Sequence, residues 1–327
     1  MILVCYGTRP EWIKVKPIID AIDCRVLFTG QHSELANNKF DKRLKIHNYQ
    51  NRLDSIFASV MQAEDIFEGI DSVMVQGDTA SAAAIALSAY NRKIKVIHLE
   101  AGLRTYDLDN PYPEEAYRQI ISRISDINLC PTELNKANLL QEKTNGKIYV
   151  VGNTVLDNLK DIDITYGNEI LVTMHRRENH DILPLWFNEI SKLALKNKDL
   201  KFTIPLHPNP NVQKCVKYLN GVHVIPPLTY EKMKSKIASC RFIISDSGGL
   251  QEEAIFLNKK IIVCRKETER TETIGQTSFL CESPDLLNNI FNDINNDYLV
   301  PESNICPYGD GFAAKKIKQI LENKSEL

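Results

Sequence analysis

Short runs of β-branched and aliphatic residues recur along this chain, each followed by a longer amphipathic segment. That alternation constrains the fold more than any other feature. Strands that pair in parallel need a crossover of a dozen residues or more, and a helix supplies it. The runs Ile2–Tyr6, Arg25–Phe28, Ser72–Val75, Lys95–His98, Ile127–Cys130 and Ile148–Val151 read as strands of a first unit. Ile170–Met174, Phe202–Leu206, His223–Ile225, Phe242–Ser245 and Ile261–Cys264 read as strands of a second. Leu53–Phe67 and Ala80–Tyr90 show helical spacing between them. A chain of 327 residues suits two domains. The expectation is therefore α/β, with domains at 1–160 and 161–311, the polar segment Asp161–Asn168 as hinge, and a ligand cleft between them.

In parallel sheets of this kind, ligands bind beyond the carboxyl ends of the strands. The most informative such place is Ile243–Ala254, where an apolar strand runs out into Ser247-Gly248-Gly249 and a helix carrying Glu252 and Glu253 begins. A helix start presents unpaired N–H groups and positive dipole, which suits a diphosphate, and the glycines let it come close. Glu253, about one turn in, can take both hydroxyls of a ribose. An ordinary N-cap followed by helix-favouring glutamates would read the same way.

Other strand ends carry charge. After the first run, Gly7 makes the turn, Pro10 suits a first helical position, and Arg9 and Lys14 can reach an anion. Neither a G-x-G-x-x-G fingerprint nor a P-loop is present. Asp78, Glu100 and Glu114 each follow a strand or open a helix. Asp78 could serve as an N-cap and Glu114 could simply favour the dipole, whereas Glu100 precedes Ala101-Gly102 with no helix to cap. Three acids on one rim suit proton transfer at a weakly acidic carbon. His175-Arg176-Arg177 and His207 follow strands of the second unit and can meet phosphate oxygens. Arg265–Arg270 adds cationic reach, or is a solvated mixed-charge loop.

Composition removes several classes. A formal net charge of -2 argues against a broad nucleic-acid surface, and no apolar run reaches membrane-spanning length. Met1–Tyr6 has no basic leader and reads as a strand rather than a signal peptide. The eight scattered cysteines form no C-x-x-C pair, so reduced core thiols in a cytoplasmic protein are expected, without zinc.

Taken in series, the motifs resemble the non-hydrolysing UDP-N-acetylglucosamine 2-epimerase family. The matching pieces are GTRPE (7–11), QH (31–32), GDT (77–79), EAGLRT (100–105), PEEAYR (113–118), PTE (131–133), GNTV (152–155), HRREN (175–179), HPNPNV (207–212), DSGGLQEEA (246–254), TER (268–270) and PYGDG (307–311). They span nearly the whole chain in the family's order. The resemblance implies two Rossmann-like domains of the glycosyltransferase-B type, with a last helix, about 312–327, packing back on the first. It implies conversion of UDP-GlcNAc to UDP-ManNAc by loss and re-addition of UDP through a 2-acetamidoglucal, with no cofactor. A homodimer that feeds surface polysaccharide is implied as well. Lys14, Asp78, Glu100, Glu114 and His175 then match positions near the reacting sugar. Ser247, Gly248, Gly249, Arg9, His175 and Arg270 match the diphosphate side, and Glu253 the ribose. Gln31, Arg176 and His207 fit a second UDP-GlcNAc site of many members, while Tyr49-Gln50-Asn51-Arg52 departs from its usual Pro-Gly segment.

Four rival readings share much of this pattern: a 2-epimerase of a 2,3-diacetamido uronic acid UDP-sugar, the hydrolysing 2-epimerase, a glycosyltransferase, and a nucleotide-sugar binder without turnover.

Overall fold

The computed structural model describes residues 1–31, 39–47, 51–296, 298, 300 and 306–323. The chain divides into two compact units, Met1–Asn158 with Tyr308–Leu327, and Leu159–Pro307. The first unit is built on a seven-stranded sheet. Its strands are β1 (Ile2–Tyr6), β2 (Arg25–Phe28), β3 (Lys42–Arg43), β4 (Ser72–Gln76), β5 (Lys95–Leu99), β6 (Ile127–Cys130) and β7 (Lys147–Val150). They lie in the order β3-β2-β1-β4-β5-β6-β7, all parallel. Helices α1 (Arg9–Ala21), α2 (Arg52–Gln62), α3 (Ala80–Asn91), α4 (Glu114–Ile124) and α5 (Glu133–Gln141) form the crossovers.

Burial explains why these strands read as unbroken apolar runs. Along β1, Leu3 and Cys5 join one core while Val4 and Tyr6 join another, so both faces of the sheet are covered. Ile56 and Val60 of α2 and the alanines of α3 fill the first face. Val15 and Ile18 of α1 fill the second, together with Ala314, Ile317 and Leu321 of the C-terminal helix Ala313–Glu322. The start of that helix is held by Asp157, which accepts the N–H groups of Ala313 and Ala314 at 3.0 and 2.8 Å.

The second unit carries β8 (Glu169–Thr173), β9 (Lys201–Pro205), β10 (His223–Ile225), β11 (Phe242–Ser245), β12 (Ile261–Val263) and β13 (Ser278–Leu280). Their order is β10-β9-β8-β11-β12-β13, again parallel. Its helices include α6 (Leu183–Lys196), α7 (Pro210–Gln213), α8 (Tyr230–Ser239), α9 (Gly248–Phe256) and α10 (Leu287–Asn296). Trp186, Phe187 and Ile190 of α6 pack with Ile170, Ile244 and Phe291 in its core.

Both sheets reverse strand order once, between β1 and β4 and between β8 and β11. At such a reversal, the turns leaving the two strands diverge to opposite faces and leave a crevice at their carboxyl ends.

Some expectations differ. The two-residue β3 and three-residue β13 are too short to show a period. The helix expected over 53–67 ends at Gln62, and a separate short turn covers Asp65–Phe67. Asp161–Asn168 reads as a hinge, yet it lies within the second unit. The N–H groups of Thr165 and Gly167 donate to the carbonyls of Ala238 and Ser239, at 3.0 and 3.1 Å. The chain returns to the first unit at Tyr308 rather than beyond 311.

Candidate active site

In the first unit the turns leaving β1 and β4 are tied through one buried carboxylate. Glu11 closes a capping box with Thr8, accepting the N–H groups of Gly7 and Thr8 at 2.9 and 2.6 Å. It also accepts the Thr79 hydroxyl at 2.6 Å. Burial raises the Glu11 pKa and these bonds oppose the rise.

One turn along α1, Lys14 Nζ lies 2.5 Å from both carboxylate oxygens of Glu100. Glu100 sits just past β5 with φ of 64°, a left-handed conformation unusual for a residue with a side chain. Such strain is held only where the surroundings over-determine it. Here they do: Gln76 at the end of β4 donates to Oε2, and Asn153 Nδ2 donates to Oε1 at 3.2 Å. Glu100 is 8% exposed. Gly77 abuts it, since a Cβ there would lie 3.5 Å from Oε2.

Asp78 is not the cap of α3. Thr79 fills that role, accepting the Ala82 N–H at 3.1 Å. The Asp78 carboxylate instead pairs with Arg118 of α4. Arg118 is also 3.3 Å from Glu115, whose buried carboxylate accepts the N–H groups of Thr105 and Tyr106 at 3.2 and 3.1 Å. Glu114 and Glu115 share the first turn of α4, the former half-buried and the latter fully buried. Arg9 is exposed at the first position of α1.

Sequence reasoning missed Gln76, Arg118, Glu115, Asn153 and His98. His98 is fully buried on β5, hydrogen-bonded to the Gly77 carbonyl through Nε2 at 2.9 Å and to the Ser122 hydroxyl through Nδ1 at 3.2 Å. A carbonyl only accepts, so Nε2 carries the proton and Nδ1 accepts from Ser122. Burial lowers its pKa to about 4, so the ring is neutral.

In the second unit the turns leaving β8 and β11 are tied in the same manner. The buried Asp246 carboxylate accepts the His175 N–H at 3.0 Å, the Arg176 N–H at 2.9 Å and the Asn179 amide at 3.1 Å. His175 and His207 lie stacked, with centroids 4.9 Å apart and planes at 13°. Burial lowers the His175 pKa, with Asp246 opposing, so its ring is neutral near pH 7.

Ser247 precedes α9 but its side chain makes no capping bond. The first N–H groups of α9, Gly248 and Gly249 included, have no partner within the helix by geometry. No heavy atom lies within 4 Å of a Cβ built on Gly249. A Cβ on Gly248 would come 2.6 Å from Arg270 Nη1. Arg270 is only 5% exposed and pairs with Glu252 at 2.5 Å and with Glu269. Arg265 pairs with Glu178 and Glu269 at 2.7 and 2.9 Å. The alternative of a solvated loop for 265–270 therefore fails at both arginines, which are buried and ion-paired. Glu253 is buried and accepts the Tyr230 hydroxyl at 2.8 Å. Burial and then the Glu253 charge raise the Tyr230 pKa, which keeps the hydroxyl a donor.

The first unit thus assembles Lys14, Asp78 and Glu100 with their partners, and the second assembles His175, His207, the α9 start, Glu253 and Arg270. Gln31 of the suggested second site accepts the Ser81 N–H and hydroxyl at 3.1 and 2.7 Å. His32, Tyr49 and Gln50 lie outside the described residues. The cysteines are free thiols, most of them buried.

A family model described as UDP-N-acetylglucosamine 2-epimerase matches residues 19–322. The UDP-N-acetylglucosamine 2-epimerase of Campylobacter jejuni is 37% identical, over 98% of this chain and 97% of that protein. The crystal structure of the UDP-GlcNAc 2-epimerase of Neisseria meningitidis bound to UDP-GlcNAc matches with a TM-score of 0.88 and 35% identity, over 98% of this chain and all of that one. The Methanocaldococcus jannaschii enzyme in complex with UDP-GlcNAc and UDP gives a TM-score of 0.79 and 31% identity, over 98% and 99% of the two chains. The two parallel-sheet units are those of the glycosyltransferase-B type of fold.

Proposed function

The chain belongs to the UDP-N-acetylglucosamine 2-epimerase family, and we propose that it interconverts UDP-GlcNAc and UDP-ManNAc without releasing free sugar. In this reading a carboxylate removes the C2 proton while the bond from C1 to the diphosphate oxygen breaks. The C2–H electron pair forms the C1–C2 double bond, and UDP departs with the C1–O pair. Re-addition of UDP returns a proton to C2 from the opposite face. Nothing is oxidised or reduced, so no nicotinamide is called for.

The observation that carries the reading is the pairing of Lys14 with Glu100 beside the Asp78–Arg118 pair at the crevice end of the first sheet. Asp78, Glu100 and Glu114 divide the acid, base and electrostatic work over the two faces of C2. The α9 start, with Ser247, Gly248 and Gly249, receives the departing diphosphate, where fixed N–H dipoles stabilise developing charge. Neutral His175 can donate its ring N–H to that diphosphate. Glu253 takes the ribose hydroxyls, and Arg270 and Arg9 act on the nucleotide side.

The test is proton NMR of UDP-GlcNAc with the protein in deuterated water. UDP-ManNAc deuterated at C2 is expected. Free ManNAc would make the protein a hydrolysing 2-epimerase, and unchanged UDP-GlcNAc at high protein would exclude this substrate. Glu100→Gln is expected to remove turnover by at least about a hundredfold while UDP affinity is kept.

A further inference from the structure

We infer that Gln76 and Asn153 are positioning residues that hold the Glu100 carboxylate charged and aimed, and this rests on the role proposed above for Glu100. The orientation of the Asn153 amide is settled by its neighbours. Its Oδ1 accepts the Val155 N–H at 3.1 Å, so its NH2 group is the end that faces Glu100 Oε1 at 3.2 Å. Asn153 is buried, and its own N–H donates to the Tyr308 carbonyl at 2.7 Å.

That last bond reaches the segment returning to the first unit. Gly152 and Gly309, at φ of 91° and 125°, touch backbone to backbone. A Cβ on either would lie 3.1 or 3.0 Å from the other's Cα. The returning chain, anchored by buried Tyr308, therefore fixes the loop that carries Asn153. On the other side, Gln76 is the last residue of β4, 3% exposed, and donates to Glu100 Oε2. Lys14 contacts both oxygens.

An ammonium and two amide donors on one carboxylate favour its ionised form. The titratable groups around it are Lys14 from α1, Asp78 with Arg118 from the β4 turn and α4, and neutral His98 from its own strand, which Arg104 also faces. Each amide thus donates to one Glu100 oxygen, and the remaining oxygen of Asn153 is used by the Val155 N–H of its own loop.

The isosteric changes Asn153→Asp and Gln76→Glu replace a donor by a second carboxylate while keeping the volume. Each should move the acid limb of the kcat–pH profile upward by about one pH unit or more, through like-charge repulsion. UDP affinity should change by less than about twofold, since neither residue is assigned to the nucleotide. Carbon-13 NMR of labelled glutamate gives a readout that does not need turnover. The Glu100 carboxyl, assigned by its loss in Glu100→Gln, should titrate at higher pH in Asn153→Asp than in the unaltered protein. An unmoved limb, or a kcat loss equal at all pH with a lowered melting temperature, would reduce both residues to structural fillers. Absence of turnover in the unaltered protein would sink the proposed reaction, while the carbon-13 titration would still decide the clamp.

Discussion

Arg118, buried in α4, is paired with the Asp78 carboxylate in the turn that leaves β4. The same guanidinium lies 3.3 Å from Glu115, whose side chain is fully buried. Arg118→Met should therefore strand a buried charge and cost about 3 kcal/mol of stability. Urea unfolding at pH 7.5 measures it. Arg118→Lys, which keeps the charge but not the planar fork, should recover part of the loss. A change below about 0.5 kcal/mol in Arg118→Met would show that the pairing contributes little.

The two glycines at the α9 start should behave differently. A methyl on Gly249 meets no heavy atom within 4 Å, so Gly249→Ala should fold and melt as the unaltered protein does. If a diphosphate approaches that backbone, the same methyl should weaken UDP binding by about tenfold or more. Gly248→Ala places its Cβ 2.6 Å from Arg270 Nη1, so it should lower the melting temperature as well. Calorimetry with UDP and thermal melts separates the two effects. Equal UDP affinity in Gly249→Ala would remove the diphosphate from this helix.

Glu253, set by the Tyr230 hydroxyl at 2.8 Å, should discriminate ribose from deoxyribose. Glu253→Gln is expected to weaken UDP by about tenfold or more, the scale of a hydrogen bond to a charged acceptor. Binding of 2′-deoxy-UDP should change far less. Tyr230→Phe should weaken UDP by a smaller factor through loss of orientation. If UDP and 2′-deoxy-UDP bind alike to the unaltered protein, Glu253 does not hold the ribose.

His98 makes stability depend on acid. Burial lowers its pKa from 6.5 to about 4, so between those values the unfolded chain takes a proton that the folded chain refuses. Its stabilising contribution is complete above about pH 6.5 and is lost as pH falls toward 4, with about 2 kcal/mol gone by pH 5. His98→Gln can still donate to the Gly77 carbonyl and does not titrate. Its stability should fall less between about pH 7.5 and pH 5 than that of the unaltered protein. Identical slopes for the two would contradict the assignment.

The strands and crevice turns were legible because parallel strands buried on both faces read as apolar runs, as Leu3, Val4 and Cys5 of β1 and Phe242, Ile243 and Ile244 of β11 do. Glu100 stood out because no helix follows it, and it proves to accept from Lys14, Gln76 and Asn153 together. What sequence could not reveal was pairing over distance. Arg265 and Arg270 look like a wet loop until Glu178 and Glu252, far away in the chain, are seen to neutralise them. Glu114 and Glu115 are alike as letters, and only the fold buries one more deeply than the other. His98 sits inside a run that reads as core, so nothing marked its bond to the Gly77 carbonyl. The polar stretch 161–168 looks unattached as letters, but its Thr165 and Gly167 N–H groups and its Tyr166 hydroxyl donate to carbonyls distant in the chain, those of Ala238, Ser239 and Asn258.

Elimination is tested most directly with UDP-GlcNAc carrying oxygen-18 in the bridge between C1 and the β-phosphorus. If UDP leaves and returns, its β-phosphate can turn before re-addition. The label should then appear in non-bridging positions of both recovered UDP-GlcNAc and UDP-ManNAc, seen as small shifts in phosphorus NMR. Epimerised product that keeps all its label in the bridge would mean that C2 inverts with the C1–O bond intact, and would contradict the mechanism.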